Sequence, residues 1–331
     1  MTDYGPRSPD ADLVSVIVPA YNASRTIERT LRSASAQSHR LIEIIVVDDG
    51  STDRTAEIVT ALAYEDKRIL LLRQPNGGVA VARNLAISRA RGNYIAPLDA
   101  DDLWHPDKIA LQLQALQDAS ASTGFAYCWS VGIDDDDRVT SNGLIPFPSP
   151  RFEGNVLAEL VTHNIVGGGS VPLIRLSLLH EVGGYDPELR RAGGQACEDW
   201  KLYILLAERS EFIVVPRTLV GYRQHLGHSS MSMNLKQTER SNGFIVRWTR
   251  QKFPDLPKSL FRHQLYYVYS YLALQALRQG AMFAGVKYMS VAALNNPRRL
   301  LAAPVRIARR YPNRPGQRKS VESGIPFAAL K

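Results

Sequence analysis

The chain has 331 residues, 45% of them apolar, and a formal net charge of +8. It is long enough for one large domain or two ordinary ones with a sizeable core. Its two cysteines, Cys128 and Cys197, exclude a disulfide framework and a cysteine-based zinc site, and no run reaches the ~18 apolar residues of a spanning helix.

In chain order, residues 14–18 read as a buried strand stopped by Pro19. Ser24 is placed to cap a helix whose apolar face holds Ile27, Leu31 and Ala34. Residues 43–47 form the next strand, and Asp53 caps a helix reaching Ala63. A short strand at 69–72 leads to the turn Asn76-Gly77-Gly78, which opens a helix ending near Gly92. The fourth strand is 94–98. This βαβα alternation predicts a parallel sheet with helices on both faces.

Beyond it, Pro106 starts a helix to Ala119, and strands at 125–133 and 138–144 flank the acidic turn 134–137. That turn reads as a solvated hairpin tip. Gly167-Gly168-Gly169-Ser170 precedes a strand at 171–175, residues 197–208 read as a helix, and 211–215 as the last strand. From residue 235 the pattern is helical. Residues 297–319 carry Arg298, Arg299, Arg306, Arg309, Arg310, Arg314, Arg318 and Lys319 with no acid, which suits either a solvated tail or an anionic membrane surface. The polar, acidic start is unlike a secretory leader. The expected location is cytoplasmic, with contact at the inner face of the membrane.

The chemistry concentrates where strands end. Asp99, Asp101 and Asp102 leave the fourth strand together, at the sheet edge where open α/β folds bind ligands. Such clustered carboxylates fit a solvated turn, or a Mg²⁺ or Mn²⁺ site that also holds substrate phosphates. Val18-Pro-Ala-Tyr-Asn22 offers a ring face for a nucleobase, and Val47-Asp-Asp-Gly-Ser-Thr-Asp53 offers acceptors for a base or a ribose.

These segments continue in order with Asn76-Gly-Gly-Val-Ala-Val-Ala-Arg-Asn84, Leu98-Asp-Ala-Asp-Asp102, Gly183-Gly-Tyr-Asp186 and Glu198-Asp-Trp200. The set resembles the family 2 glycosyltransferases, inverting enzymes of the GT-A fold, of the kind that builds bacterial surface polysaccharide. The resemblance covers roughly residues 13–230. It implies a flexible start at 1–12 and a GT-A catalytic domain at 13–230, with a nucleotide-binding half (13–103) and an acceptor half (104–230). A helical appendage (231–310) and a basic flexible tail (311–331) would follow. The appendage would dimerise, meet a membrane or only cover the core.

The same resemblance implies residue roles. Pro19, Ala20 and Tyr21 line the nucleoside pocket, Asp49 receives the base, and Asn76, Gly77 and Gly78 border it. Arg83 contacts the donor or pairs with an acid. Asp99 and Ala100 lie by the ribose. Asp101 and Asp102, equivalent in sequence, hold the metal with His225, and His228 competes with His225. Arg223 alternatively contacts the leaving diphosphate. Asp199 is the general base, while Glu198, Trp200, Gly169 and Ser170 face the acceptor. A nucleotide-diphospho-sugar donor, UDP-linked by preference, and a saccharide or lipid-linked saccharide acceptor follow, with no nucleic acid. Phe244 stands where the Gln of a Gln-x-x-Arg-Trp signature would precede Arg247-Trp248, which favours single addition over processive synthesis.

Other classes fit less well. A dinucleotide oxidoreductase would show G-x-G-x-x-G after the first strand, where Pro-Ala-Tyr-Asn stands instead. A nucleotidyltransferase would need a glycine- and lysine-rich phosphate loop there. A non-catalytic nucleotide-sugar-binding protein would not need Asp199.

Overall fold

The computed structural model describes residues 12–145, 152–224, 235–297 and 324–329. Strand β1 (Val14–Ala20) lies at the centre of the first half and is buried along almost its whole length. It pairs in parallel with β2 (Ile42–Asp48) on one side and β4 (Tyr94–Pro97) on the other, and β3 (Ile69–Arg73) extends the sheet beyond β2. Near-continuous apolar runs suit strands covered on both faces. The covering helices are α1 (Ile27–Ser35), α2 (Thr55–Glu65) and α3 (Val79–Arg89).

The order β3-β2-β1-β4 reverses direction between β1 and β4, which makes the crevice there the binding edge of the sheet. The register matches Ala20 to Asp48 and Ile17 to Pro97. The loops after β1, β2 and β4 therefore leave at one edge.

The second half departs from a purely parallel sheet. It contains β5 (Leu103–Trp104), α4 (Lys108–Asp118), β6 (Thr123–Ile133), β7 (Val139–Ile145), α5 (Leu157–Thr162), β8 (Leu173–Arg175), α6 (Leu176–Val182), α7 (Glu188–Arg191), α8 (Glu198–Ala207) and β9 (Glu211–Arg223). Strand β8 runs antiparallel to both β4 and β6, and β6 pairs in parallel with β9. Strand β9 has 13 residues and runs past the expected end at 215, so Arg223 belongs to the sheet. Helices α9 (Leu235–Lys252), α10 (Lys258–Arg278) and α11 (Met282–Asn295) follow.

Local details differ from expectation for identifiable reasons. Thr26, not Ser24, precedes α1, because the Ser24 N–H donates to Asp53 Oδ2 at 3.0 Å. Asp53 also accepts from the Thr55 N–H and hydroxyl. Although burial raises its pKa, these bonds carry it down to about 2. The turn 134–137 is not simply solvated. Asp137 accepts from Arg29 at 2.9 Å and also pairs with Arg223. Residues 324–329, expected in a flexible tail, return to the sheet: the Phe327 N–H donates to Asp137 O at 2.9 Å, and its ring is buried with Leu103, Val131 and Ile133.

Lys108 is fully buried at the start of α4. Its Nζ donates to Pro172 O at 3.3 Å and lies 4.1 Å from the Trp104 ring centroid. Burial pushes its pKa down to about 8, against an upward pull from Cys128. Because the folded-state pKa is depressed, Lys108 favours folding fully above the unfolded value near 10.5, and this contribution is lost as pH falls through 8. Lys108→Met should abolish a stability rise of about 3 kcal/mol between those limits. Chemical denaturation of both proteins at pH 7.5 and 10.5 checks this; parallel pH dependences would refute it.

Candidate active site

The edge shared by β1, β2 and β4 brings together the residues expected on the nucleotide side. Pro19 is half-buried and Ala20 buried, while Tyr21 leaves 53% of its surface open. The loop behind it is laced to the next one: the Thr52 N–H donates to Asn22 Oδ1 at 2.9 Å, and the Asn22 N–H donates to Ser51 Oγ at 2.9 Å.

Asp49 is buried and committed to the neighbouring loop. Its Oδ1 accepts from Gln74 Nε2 and the Gly77 N–H, its Oδ2 from the Gly78 N–H, all within 2.8 Å. The expectation that Asp49 receives a base thus meets a carboxylate that already frames the pocket wall. Asn76 joins through Nδ2 to Asp49 O. Gly78 has φ +90° and a side chain there would meet Arg190 at 3.0 Å, so both its backbone conformation and its space favour glycine.

Deeper in the crevice, Arg83 of α3 is 2% exposed. One of its terminal nitrogens donates to Asp99 at 2.6 Å and the other to Glu198 at 3.1 Å. Its guanidinium carbon sits 4.9 Å from the Tyr185 ring centroid. The sequence left Arg83 between ligand contact and ion pair; the fold makes it the bridge between the two halves. Gly169 backs this bridge closely, since a Cβ there would lie 2.7 Å from Arg83 Nη2 and 3.1 Å from Asp99 Oδ2.

The acid triple separates by direction. Asp102 is 1% exposed, and its oxygens accept from Ser170 Oγ at 2.6 Å and the Arg223 N–H at 3.0 Å. Burial and the nearby Asp101 and Asp99 charges hold its pKa well above the carboxylate range. Asp102 is thus enclosed by protein donors, which argues against the expected metal contact. Asp101 stays half-buried at the edge. Ala100 serves through its carbonyl, which accepts from Thr26 and Thr30.

Other expected contacts are displaced. Ser170 accepts from the Asp99 N–H at 2.9 Å while donating to Asp102, so it braces the acids rather than facing an acceptor. Trp200 is buried and its indole N–H donates to Leu160 O at 2.7 Å; packing, not acceptor contact, explains it. Arg223 is also buried. Its Nε donates to Asp101 O at 2.7 Å, and its other nitrogens reach Asp134 O and Asp137. Those partners occupy the guanidinium, so it holds the Asp101 backbone instead of reaching a diphosphate. His225 and His228 lie outside the described residues, as do residues 1–11 and 298–323.

On the opposite wall, Glu198 and Asp199 open α8. Glu198 is buried and its pKa is pushed up to about 8, by burial first and then by Asp199, with Arg83 opposing. Asp199 is half-buried. Burial raises its pKa, Arg83 lowers it and Asp99 raises it, for a net upward shift. A raised carboxylate is a stronger proton acceptor when ionised. Arg83 Nε, Tyr185 OH and Glu198 Oε2 are buried with no hydrogen-bond partner. Buried polar atoms are ordinarily paired, so three such atoms around one guanidinium leave hydrogen-bonding capacity unused beside Asp199.

The motif Gly183-Gly-Tyr-Asp186 by itself assigns no role to Tyr185, and no local pattern singles out Arg190. Tyr185 is held by its N–H to Asn84 Oδ1 at 2.9 Å, and Asp186 pairs with Lys201. Arg190 donates to Asn76 O at 3.3 Å. Nothing in local spacing marks a residue that acts across 114 positions.

Among the described residues no group of three His, Cys, Asp or Glu side chains is arranged to hold a metal ion. The donor chemistry nevertheless fits a hard cation: one half-buried carboxylate, Asp101, stands beside two others whose mutual repulsion a cation relieves. Magnesium-type sites commonly combine one or two carboxylates with substrate phosphates.

The model of glycosyl transferase family 2 matches residues 15–181. A chondroitin synthase of Pasteurella multocida is 28% identical over 71% of this chain, a match covering 23% of the synthase. A Bacillus subtilis protein named as a teichuronic acid biosynthesis glycosyltransferase, TuaG, is 46% identical over 34% of this chain and 45% of its own length. The chain therefore spans under half the length of these relatives. Among solved structures, the mannosyltransferase PcManGT of Pyrobaculum calidifontis, with GDP-Man and Mn²⁺, aligns with a TM-score of 0.55 at 21% identity, covering 89% of this chain and 80% of that one. TarS 1–349 of S. aureus, with UDP-GlcNAc, aligns at 0.50 and 18%, covering 84% and 90%. The fold is GT-A.

Proposed function

Because this chain belongs to glycosyl transferase family 2 and is a glycosyltransferase, we propose that it moves one sugar, with inversion, from a nucleotide-diphospho-sugar to a saccharide acceptor in polysaccharide or glycolipid synthesis. A UDP-sugar is the favoured donor. The observation that carries this reading is the Asp99–Arg83–Glu198 bridge with its three unpartnered polar atoms, placed between the nucleotide edge and Asp199.

In this scheme the exposed Tyr21 ring stacks on the base, and the Asp49-framed loop borders it. Asp101 would hold Mg²⁺ or Mn²⁺, which when bound would supply positive charge against the leaving diphosphate. Arg83, fixed by Asp99, positions Glu198 against the sugar. Asp199 takes the proton from the acceptor hydroxyl, which attacks the anomeric carbon from the opposite face. The C–O bond to the phosphate breaks as the new glycosidic bond forms, and the proton stays on Asp199.

Calorimetry with UDP, GDP and dTDP, each with and without Mn²⁺, tests the donor side. One nucleotide should bind with Mn²⁺ and lose about tenfold or more in affinity in Asp101→Ala. If none binds under either condition, the donor assignment fails.

Exposed apolar surface on α11 favours contact with an anionic membrane. Phe283 is 95% and Leu294 84% exposed, and Lys287 is the helix's single charge. A helix apolar on its open side needs a cover, and the acid-free basic stretch 297–319 follows it in sequence. No helix among the described residues is long and apolar enough to cross a membrane. The full chain should co-sediment with phosphatidylglycerol vesicles and not with phosphatidylcholine, and Phe283→Asp with Leu294→Asp should release it. Indifference to lipid charge would end this reading.

A further inference from the structure

Beyond Glu198 lies a second cavity of about 330 Å³, lined by Arg190, Gly193, Gln195, Lys236, Gln237 and Arg240. Three of these six are cations and none is an acid. Arg190 donates to the Asn76 carbonyl, and no carboxylate among the described residues pairs with Arg190, Lys236 or Arg240. This contrasts with Arg83 and Arg223, which the fold surrounds with carboxylates and carbonyls. Like charges gathered round one concavity repel unless an anion joins them.

The setting adds to this potential. Lys236 and Arg240 stand in the first turns of α9, an 18-residue helix with no acid in its first turn. Cations at that end oppose the helix dipole, so local helix stability does not account for them. The cavity also joins the reaction centre, because Arg190 and Gln195 additionally line the smaller cleft containing Gly78 and Glu198. A ligand anchored there would extend toward Glu198 and Asp199, where the attacking hydroxyl has to sit.

We propose that this cavity binds a phosphate or diphosphate group carried by the acceptor, so that the acceptor is a phosphate-bearing saccharide. The inference rests on the transferase reading above and specifies its second substrate. The donor's own diphosphate shares this chemistry. The donor's metal contact is expected at Asp101, which is absent from the cavity lining, while Arg190 also touches the Asn76–Gly78 loop, so competition with nucleotide separates the two.

The test is calorimetry of inorganic pyrophosphate on the full chain, alone and with a saturating nucleoside diphosphate (UDP, GDP or dTDP). Lys236→Gln combined with Arg240→Gln is compared with wild type. Both side chains are exposed, so the variant should fold, and an unchanged melting temperature checks that. Pyrophosphate should bind with the nucleotide already in place. The double variant should weaken pyrophosphate by about tenfold or more, as loss of charge-assisted bonds predicts, and leave nucleotide affinity within about twofold. Displacement of pyrophosphate by nucleotide would assign the cavity to the donor and overturn the proposal. So would absence of pyrophosphate binding, or equal binding to the variant. Pyrophosphate binding that depends on Lys236 and Arg240, in a protein that binds no nucleotide, would instead break the donor assignment and leave the anion site standing.

Discussion

Asp199→Asn should slow sugar transfer by about 10²–10⁴-fold, the range for loss of a positioned general base, with donor nucleotide affinity nearly unchanged. The substitution keeps the shape and removes the proton acceptor. Its site is half-buried in the first turn of α8 beside buried Glu198, so an amide of the same size should be accommodated. The pH profile gives a second readout. Asp199 accepts a proton only when ionised, and its pKa lies above the ordinary aspartate value. Wild-type kcat/KM should therefore fall on the acid side at a pH above about 4. In Asp199→Asn that limb should disappear from the residual rate. Steady-state kinetics across pH, with nucleotide calorimetry on the same samples, separates chemistry from binding. A variant transferring at the wild-type rate would exclude Asp199 as the base; parallel loss of nucleotide affinity would point to a disturbed fold.

Arg83→Met should be the most damaging substitution for stability. It leaves Glu198 buried without its cation and frees Asp99 from its 2.6 Å partner. Breaking a buried pair from one side costs about 3–5 kcal/mol, and the two halves lose one of their links across the crevice. The loss should depend on pH. Glu198 has a folded-state pKa raised above its unfolded value, to about 8, so it favours folding most fully below 4.5 and loses that contribution as pH rises through 8. Removing the cation raises the value further. Thermal melts should accordingly show a smaller deficit at pH 5.5 than at pH 8.5. Adding Glu198→Gln should recover part of the stability and none of the activity. Equal deficits at both pH values would mean that Arg83 acts mainly by packing on Tyr185. Arg83→Lys is not a conservative control, because an ammonium cannot serve two carboxylates and a ring from one fixed plane.

These two residues show where sequence reading reaches its limit. The role expected for Asp199 followed from the order of short motifs, each within one strand end or helix start. The bridging role of Arg83 could not be read that way. Its partner Glu198 is 115 positions distant, and an arginine on a helix looks the same whether it meets solvent, ligand or another domain half. Asp101 and Asp102 pose the same difficulty at shorter range. Adjacent carboxylates are equivalent in sequence, and only the arrival of Ser170 and Arg223 from distant elements encloses one of them.

Local sequence signals specify the first four strands, their intervening helices and the edge where the acids gather. Burial on both faces demands continuous apolar runs, and turn chemistry demands glycine and aspartate at set places, so each of these is a local signal. The tertiary structure alone decided what depends on distant partners: the antiparallel β8 between β4 and β6, the extension of β9 to Arg223, the return of Phe327 to the sheet, and the cations gathered around the second cavity. Sheet pairing and ion pairing are set by which surfaces meet after the chain collapses, and that information is spread over the whole molecule.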